Sequence, residues 1–121
     1  MAKHLDTGKL GEDLAVAHLR QLGFEILETN WRHRRLEVDI IAKDGDLLVF
    51  VEVKTRSYDY FGKPEEFVTP AKERRLAQAA AAYMEQFGHD WAMRFDVVAV
   101  LKEKNGGFAV EHIRDAFFPG L

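Results

Sequence analysis

The sequence contains no cysteine among its 121 residues. This absence excludes a disulfide framework, a thiolate zinc site and a cysteine nucleophile, and it fits a reducing compartment. The five histidines lie far apart in the chain and show none of the spacings that zinc ligands use. The sequence therefore does not predict a zinc enzyme or a disulfide-stabilised secreted domain.

Long apolar runs are absent as well. Residues 1–13 contain no apolar segment typical of a secretion signal, and no run approaches the length of a membrane-spanning helix. We therefore expect a cytoplasmic protein without a membrane partner. The formal net charge is −3, which argues against a uniformly cationic surface. A nucleic-acid site on this protein would have to be a localised basic face.

What the sequence does contain is the composition of one soluble globular domain, with 47% hydrophobic and 31% charged residues. We predict a single α/β domain over residues 1–121, with the order helix, three strands, helix, two strands. Cap residues and apolar periodicity place the helices, and alternation places the strands. The predicted helices begin after Asp6 or Thr7 and at Thr69-Pro70, and they stop at Gly23 and near Gly88. The predicted strands are residues 24–31, 36–43, 47–56, 93–101 and 108–113.

The third predicted strand is the most informative stretch of the chain. It begins as an apolar run, Leu47 to Val51, and then carries Glu52 and Lys54. Because strand side chains alternate between two faces, Glu52 and Lys54 are expected on the same face. Ionised groups at the margin of a core are costly unless they are paired or bound to a metal.

The preceding strand supplies a candidate partner for Glu52. Asp44-Gly45 is a two-residue hairpin signal, and a turn there places Asp39 opposite Phe50 and Glu37 opposite Glu52. Asp39 is then the diagonal neighbour of Glu52, within side-chain reach. Carboxylates this close repel one another unless a divalent cation lies between them. Hard oxygen ligands favour Mg²⁺ or Mn²⁺ over zinc.

Two acids and a lysine around such a cation are suited to phosphodiester hydrolysis. The cation would polarise the phosphorus centre, and Lys54 would orient the attacking water or neutralise charge in the transition state. The alternative is a plain ion-pair cluster between strands, because an isolated Glu-x-Lys triplet is common. Only the position of the triplet, across a hairpin from Asp39, favours the functional interpretation.

Asp39 followed by Glu52-Val53-Lys54, in this order of elements, resembles the PD-(D/E)xK superfamily. More narrowly, the chain resembles the small bacterial YraN-like family (UPF0102). The matching stretches span nearly the whole chain: Gly11-Glu12 with Ala15, Asn30-Trp31-Arg32, Glu37-Val38-Asp39, Val49 to Arg56, Thr69-Pro70-Ala71-Lys72 and Arg94-Phe95-Asp96-Val97. The resemblance implies a restriction-endonuclease-like fold, with a central mixed five-stranded sheet flanked by helices.

The layout is also similar to that of archaeal Holliday junction resolvases. This likeness implies a catalytic set of Glu12, Asp39, Glu52 and Lys54, in which the three acids bind Mg²⁺ or Mn²⁺. It further implies DNA as the substrate, including branched forms, and a homodimer if the substrate is a four-way junction. One departure is Leu36, because family members often have glycine before the acidic triplet.

The remaining candidates each have a structural alternative. Glu12 could be a solvated acid in a first helical turn, and Glu37, a second-tier candidate, could be an edge-strand charge that discourages aggregation. Tyr58, Tyr60 and Phe61 could stack on bases or pack on the domain. The predicted nucleic-acid-binding residues are Arg32, Arg34, Arg35, Arg56, Lys72 and Arg75. These residues could equally form a solvated face with local acid partners. Asp96, among apolar strand residues, is interpreted as structural.

Three functional hypotheses follow from the sequence. The first is a Mg²⁺-dependent nuclease acting on DNA. The second is a non-catalytic nucleic-acid-binding module that keeps the nuclease fold, with a steep salt dependence and little metal dependence. The third is a protein-interaction module in which the carboxylates form a structural network. The intact set of two acids and a lysine favours the first.

Overall fold

The computed structural model describes residues 3–57, 68–90 and 92–117, with side chains from residue 8 onward. Tyr58, Tyr60 and Phe61 lie outside the described residues. The helices are α1 (Lys3–Gln21) and α2 (Pro70–Gln86), and the strands are β1 (Glu25–His33), β2 (Leu36–Asp44), β3 (Leu47–Arg56), β4 (Met93–Lys102) and β5 (Phe108–Ile113). The predicted order of elements is confirmed. No helix in the described ranges is long and apolar enough to cross a membrane.

The five strands form one mixed sheet, in the order β1-β2-β3-β4-β5. β3 and β4 are parallel, whereas the other neighbours are antiparallel. The connection between the two parallel strands contains α2, as a parallel pair requires. β3 lies at the centre of the sheet, so its apolar half is buried on both faces, which explains the continuous apolar run in the sequence.

The helices cover opposite faces of the sheet. Leu19 of α1 packs with Val49 and Val51, whereas Tyr83 of α2 packs with Phe50. The alternation along β3 thus divides the core into two layers. In α2 the alanine-rich stretch includes two fully buried residues, Ala79 and Ala80. Their small side chains allow the helix to lie close to the sheet.

The helix boundaries confirm most of the expected signals. The Thr69 hydroxyl caps α2 by accepting a hydrogen bond from the Lys72 amide at 3.2 Å, and Pro70 is the first helical residue. Gly23 adopts a positive φ of 92° just after α1. The predicted cap at Asp6 or Thr7 was wrong, because α1 begins at Lys3. No residue before Asp6 interrupts the helix, so α1 extends past the predicted cap to Lys3.

The β2–β3 hairpin differs from its predicted register by two residues. Asp44 pairs with Leu47, so the turn residues are Gly45 and Asp46 rather than Asp44 and Gly45. Asp44 stays in the strand, where its carboxylate lies 3.9 Å from both Arg94 and Arg114. The ladder's last pair is Ile40 with Val51, which makes Asp39 and Glu52 the next residues on the two strands. A shift by two keeps every side chain on its face, so the error does not separate the carboxylates.

Gly11 lets α1 approach the end of β3. A Cβ atom at this position would collide with the Thr55 hydroxyl. The contact joins α1 to β3 immediately beside Glu12 in one element and Lys54 in the other. It therefore sets the separation between the helix and the strand at this end of the sheet.

Gly11→Ala is expected to lower the free energy of unfolding by about 1 to 3 kcal/mol, because the added methyl group overpacks the contact with Thr55. Alanine has a higher helix propensity than glycine, by up to about 1 kcal/mol. A loss of stability on this substitution would therefore be opposite to the effect of helix propensity alone. Urea unfolding followed by circular dichroism measures the change.

The matched control is Gly8→Ala on the same helix. A Cβ atom at Gly8 meets nothing within 4 Å, so this variant is expected to be as stable as the wild type or more stable. Equal stabilisation by both substitutions would show that α1 does not rest on Thr55.

Candidate functional site

Asp39 and Glu52 form the centre of the candidate site. The Asp39 carboxylate accepts a hydrogen bond from the Val53 amide at 2.8 Å. This bond ties the Asp39 side chain to β3 immediately beside Glu52. The Glu52 side chain is only 3% exposed. The structure thus brings together the two acids that the sequence predicted, directly across the hairpin rather than diagonally.

The two carboxylates lie in an environment that disfavours two negative charges. Burial, and then the negative charge of Glu52, raise the pKa of Asp39 to about 7, although the Val53 amide and Lys72 oppose the shift. When both acids are ionised, the buried Glu52 Oε1 has no hydrogen-bond partner within the described residues, whereas protonated Asp39 bonds to the Glu52 carboxylate. A buried carboxylate oxygen without a partner is costly, so the pair is built for a ligand or is stabilised by nearby cations.

Two lysines contact the other oxygen of Glu52. Lys54 Nζ lies 3.3 Å from Glu52 Oε2, and Lys72 Nζ lies 3.5 Å from the same atom. Lys54 comes from the predicted motif on β3. Lys72 comes from the first turn of α2 and was predicted to bind nucleic acid rather than to contact Glu52. The structure thus adds a second lysine to the site, which the sequence could not reveal because α2 lies far along the chain.

The donor set fits a hard divalent cation. Asp39 and Glu52 offer carboxylate oxygens only, and one of these is the unpartnered Glu52 Oε1. Mg²⁺ is commonly held by one or two carboxylates, with water and phosphate oxygens completing its coordination. The described part of the chain contains no cluster of three acidic, histidine or cysteine residues able to hold a metal. Two protein ligands, Asp39 and Glu52, therefore fit, and Glu12 as a third ligand stays a prediction.

Glu12 is hydrogen-bonded to Asn30, a residue of the strand next to Asp39. Asn30 Nδ2 donates a hydrogen bond to Glu12 Oε1 at 2.6 Å. The residues on either side of Asn30 pair with those on either side of Asp39, so Asn30 lies opposite Asp39 in the sheet. Asn30 has a positive φ of 52°, which asparagine tolerates better than most residues. The sequence assigned no role to Asn30, because its partner lies 18 residues away on another element.

The predicted basic residues divide between several environments. Arg35 and Arg75 line an open cavity of about 380 Å³, together with Leu36, Glu37 and Lys72. Leu36, which the resemblance marked as a departure, therefore lines this cavity. Because Lys72 also contacts Glu52, the cavity adjoins the carboxylate pair.

The other basic candidates do not join this cavity. Arg32 forms an ion pair with Glu37 at 3.2 Å, and the Arg56 guanidinium donates to the Thr55 carbonyl. Arg34 lines a separate cavity of about 510 Å³, near Glu85 at the far end of α2. The cationic patch beside the site is thus Arg35, Lys72 and Arg75.

Asp96 has a different environment and a structural role. It is fully buried, and its carboxylate accepts two hydrogen bonds from Arg94, one from His112 and one from the Asp115 amide, all at 2.7–3.0 Å. Burial alone would raise the pKa of Asp96, but the bonds from His112 and Arg94 outweigh it and lower the pKa below its ordinary value. Asp96 is therefore a satisfied anion that ties β4 to β5 and to the segment after β5.

The raised pKa of Asp39 predicts the pH dependence of stability. Folded Asp39 binds its proton more tightly than unfolded Asp39, so it costs stability as pH rises from about 4 towards 7. Asp39→Asn removes this ionisation and keeps an oxygen that can accept from Val53. With chelator present, we expect this variant to be more stable than the wild type at pH 8, and the difference to shrink at pH 5, as measured by urea unfolding.

Asp90→Asn, at an exposed position, is the control for the loss of one carboxylate. It should leave the pH profile of the wild type unchanged. An Asp39→Asn variant that is less stable than the wild type at pH 8 would contradict the electrostatic interpretation of the pair.

Comparison with known proteins supports the resemblance noted from the sequence. The model of the uncharacterised protein family UPF0102 matches residues 11–100, which include the whole carboxylate site. A UPF0102 protein of Christiangramia forsetii is 49% identical over 118 residues, covering 98% of both chains. One from Flavobacterium psychrophilum is also 49% identical over 118 residues, with 98% of both chains covered. One from Rhodococcus jostii is 48% identical over 118 residues, covering 97% of this chain and 100% of the relative. The chain therefore belongs to the UPF0102 family.

Proposed function

We propose that this protein is a Mg²⁺-dependent endonuclease that hydrolyses phosphodiester bonds in DNA, with branched or otherwise structured DNA as the substrate to test first. The observation that carries the proposal is the pair formed by Asp39 and Glu52. These carboxylates are held together although their charges repel, and when both are ionised Glu52 Oε1 has no hydrogen-bond partner in the described residues. Such an arrangement is expensive for a fold that does not use it.

Each residue of the pair has a distinct part in binding. Asp39 is oriented by the Val53 amide, and Glu52 is fixed by its burial in the central strand. Together they would hold the cation at the end of the sheet. A divalent cation there would supply Lewis-acid activation of a phosphodiester.

Lys54 is the proposed catalytic lysine. Its ammonium group lies 3.3 Å from Glu52 and its side chain is 27% exposed, so it reaches both Glu52 and solvent. In that position it can orient an attacking water or neutralise the charge that develops on the phosphate. Glu12, held by Asn30, completes the proposed catalytic set from the side of α1.

The sequence resemblance and the basic cavity support nucleic acid as the substrate. Asp39 and Glu52-Val53-Lys54 match the motif of PD-(D/E)xK nucleases, and the observed sheet has the layout of that fold. Arg35, Lys72 and Arg75 supply cations for phosphate next to the carboxylates. A chain of 121 residues is small for a four-way junction, so cutting such a substrate would require a homodimer.

A second candidate function is nucleic-acid binding without catalysis. The observation that favours it is the contact of both lysines with Glu52 Oε2, since two ammonium groups can stabilise a buried carboxylate without a metal. In that case the protein would bind DNA equally well with Mg²⁺ or with chelator, and its affinity would fall steeply with salt.

A cleavage assay distinguishes the two functions. The purified protein is incubated with four-way junctions, flaps, single strands and linear duplexes of DNA, and with the corresponding RNAs, in Mg²⁺, Mn²⁺ or chelator. We expect cutting that requires the cation. Asp39→Asn should abolish it because a ligand is lost, and Lys54→Ala should slow it by about 100-fold or more.

The controls for that assay are exposed residues of the same type, Asp90→Asn and Lys102→Ala, which should cut as fast as the wild type. If no substrate is cut, while wild type and Asp39→Asn bind DNA equally well, the catalytic proposal fails and the binding function remains. Cutting that survives chelation or the Asp39 substitution would exclude this metal site.

A further inference from the structure

Lys72 lies between the carboxylate pair and the basic cavity. Its ammonium group is 3.5 Å from Glu52 Oε2, and its side chain lines the cavity formed with Arg35 and Arg75. The side chain is 31% exposed, whereas that of Glu52 is 3% exposed. Lys72 is therefore positioned to reach either an anion in the site or an anion in the cavity.

The backbone at Lys72 is fixed while its ammonium group is not. The Lys72 amide donates to the Thr69 hydroxyl in the α2 cap, which anchors the first turn of the helix. The four-carbon side chain beyond it is flexible, and its ammonium group makes contacts without the fixed geometry of a guanidinium. A short movement of the side chain thus requires no change in the fold.

The position of Lys72 also has a cost that the carboxylates offset. A cation in the first turn of a helix opposes the helix dipole. The attraction of Lys72 to Glu52, and its favourable effect on ionised Asp39, compensate this cost. A divalent cation bound by the same two acids would remove that compensation, because like charges repel at this distance.

We infer that Lys72 is an exchangeable counter-ion, which neutralises Glu52 in the metal-free protein and binds a phosphate of the nucleic acid in the Arg35–Arg75 cavity once a divalent cation occupies the pair. This inference rests on the proposed function, since it assigns a phosphate subsite to the same site. Arg35 and Arg75 then bind the same phosphate from the other walls of the cavity.

The exchange couples metal binding to nucleic-acid binding. Before the metal binds, Lys72 competes with it for the Glu52 carboxylate. After the metal binds, the Lys72 ammonium group becomes the third cation in the cavity, beside Arg35 and Arg75. Each ligand therefore increases the affinity for the other, and the coupling is reciprocal. This arrangement favours assembly of the site only when both metal and substrate are present.

The test compares Lys72→Met, which keeps an unbranched side chain without the ammonium group, with Arg74→Met, which removes one positive charge from an exposed position on the same helix. The first measurement is the dissociation constant of Mn²⁺ for the protein alone, by titration calorimetry. Lys72→Met is expected to bind Mn²⁺ about fivefold more tightly than the wild type, because the competing cation is gone. Arg74→Met should change the constant less than twofold.

The second measurement is the affinity for a labelled DNA junction, by fluorescence anisotropy, in Ca²⁺ and in chelator. Lys72→Met should weaken DNA binding about fivefold in Ca²⁺ and less in chelator, and should reduce the salt slope by about one in Ca²⁺. Thus the same substitution is expected to strengthen metal binding and to weaken DNA binding, which a merely structural role would not produce.

The outcomes separate this inference from the proposed function. The exchange would be overturned if Lys72→Met bound Mn²⁺ no better than the wild type, or if it lost DNA affinity equally in Ca²⁺ and in chelator. Either result would leave the nuclease proposal intact. If Lys72→Met shows both expected changes, tighter Mn²⁺ binding and weaker DNA binding, but the wild type cuts no substrate, the exchange is supported and the catalytic proposal fails. Wild-type protein that binds no Mn²⁺, either alone or with the DNA junction present, would overturn both proposals, unless Lys72→Met acquires binding, which supports the exchange.

Discussion

The repulsion between Asp39 and Glu52 is the constraint around which this end of the protein is organised. Both acids lie just beyond the last paired residues of the β2–β3 hairpin. Burial there removes the solvent that would screen their negative charges from each other. The neighbouring groups all act against that cost. The Val53 amide bonds Asp39, and Lys54 and Lys72 contact Glu52. These compensations are partial, since one oxygen of Glu52 has no partner in the described part of the chain when both acids are ionised.

Asp96 shows how the same sheet treats a carboxylate that serves the fold alone. Asp96 pairs in register with Val51, one residue before Glu52, yet its charge is fully satisfied by Arg94, His112 and a backbone amide. The pKa of Asp96 is therefore lowered, whereas that of Asp39 is raised. Asp39 on β2 and Asp96 on β4, two acids of the same sheet, thus differ in whether the protein pairs them completely. That contrast separates a structural anion from a candidate ligand-binding one.

The sequence predicts those features that depend on neighbours along the chain. Alternation located β3 and placed Glu52 with Lys54, and the Thr69-Pro70 signal located the start of α2. The predicted hairpin register was wrong because Asp44 stays in β2, where its carboxylate lies 3.9 Å from Arg94 of β4 and from Arg114 after β5. The contacts of Lys72 with Glu52 and of Asn30 with Glu12 were likewise out of reach. Such contacts depend on how elements pack across the sheet, which no local pattern in one chain encodes.

The contact between Gly11 and Thr55 has a consequence for how related chains can diverge. The two positions share a fixed volume, and each directly adjoins a candidate site residue, Glu12 or Lys54. A larger residue at position 11 needs a smaller one at position 55 if the helix is to keep its distance from the strand. Among relatives, the sizes of these two side chains should therefore change together and in opposite directions, although neither residue carries a charge.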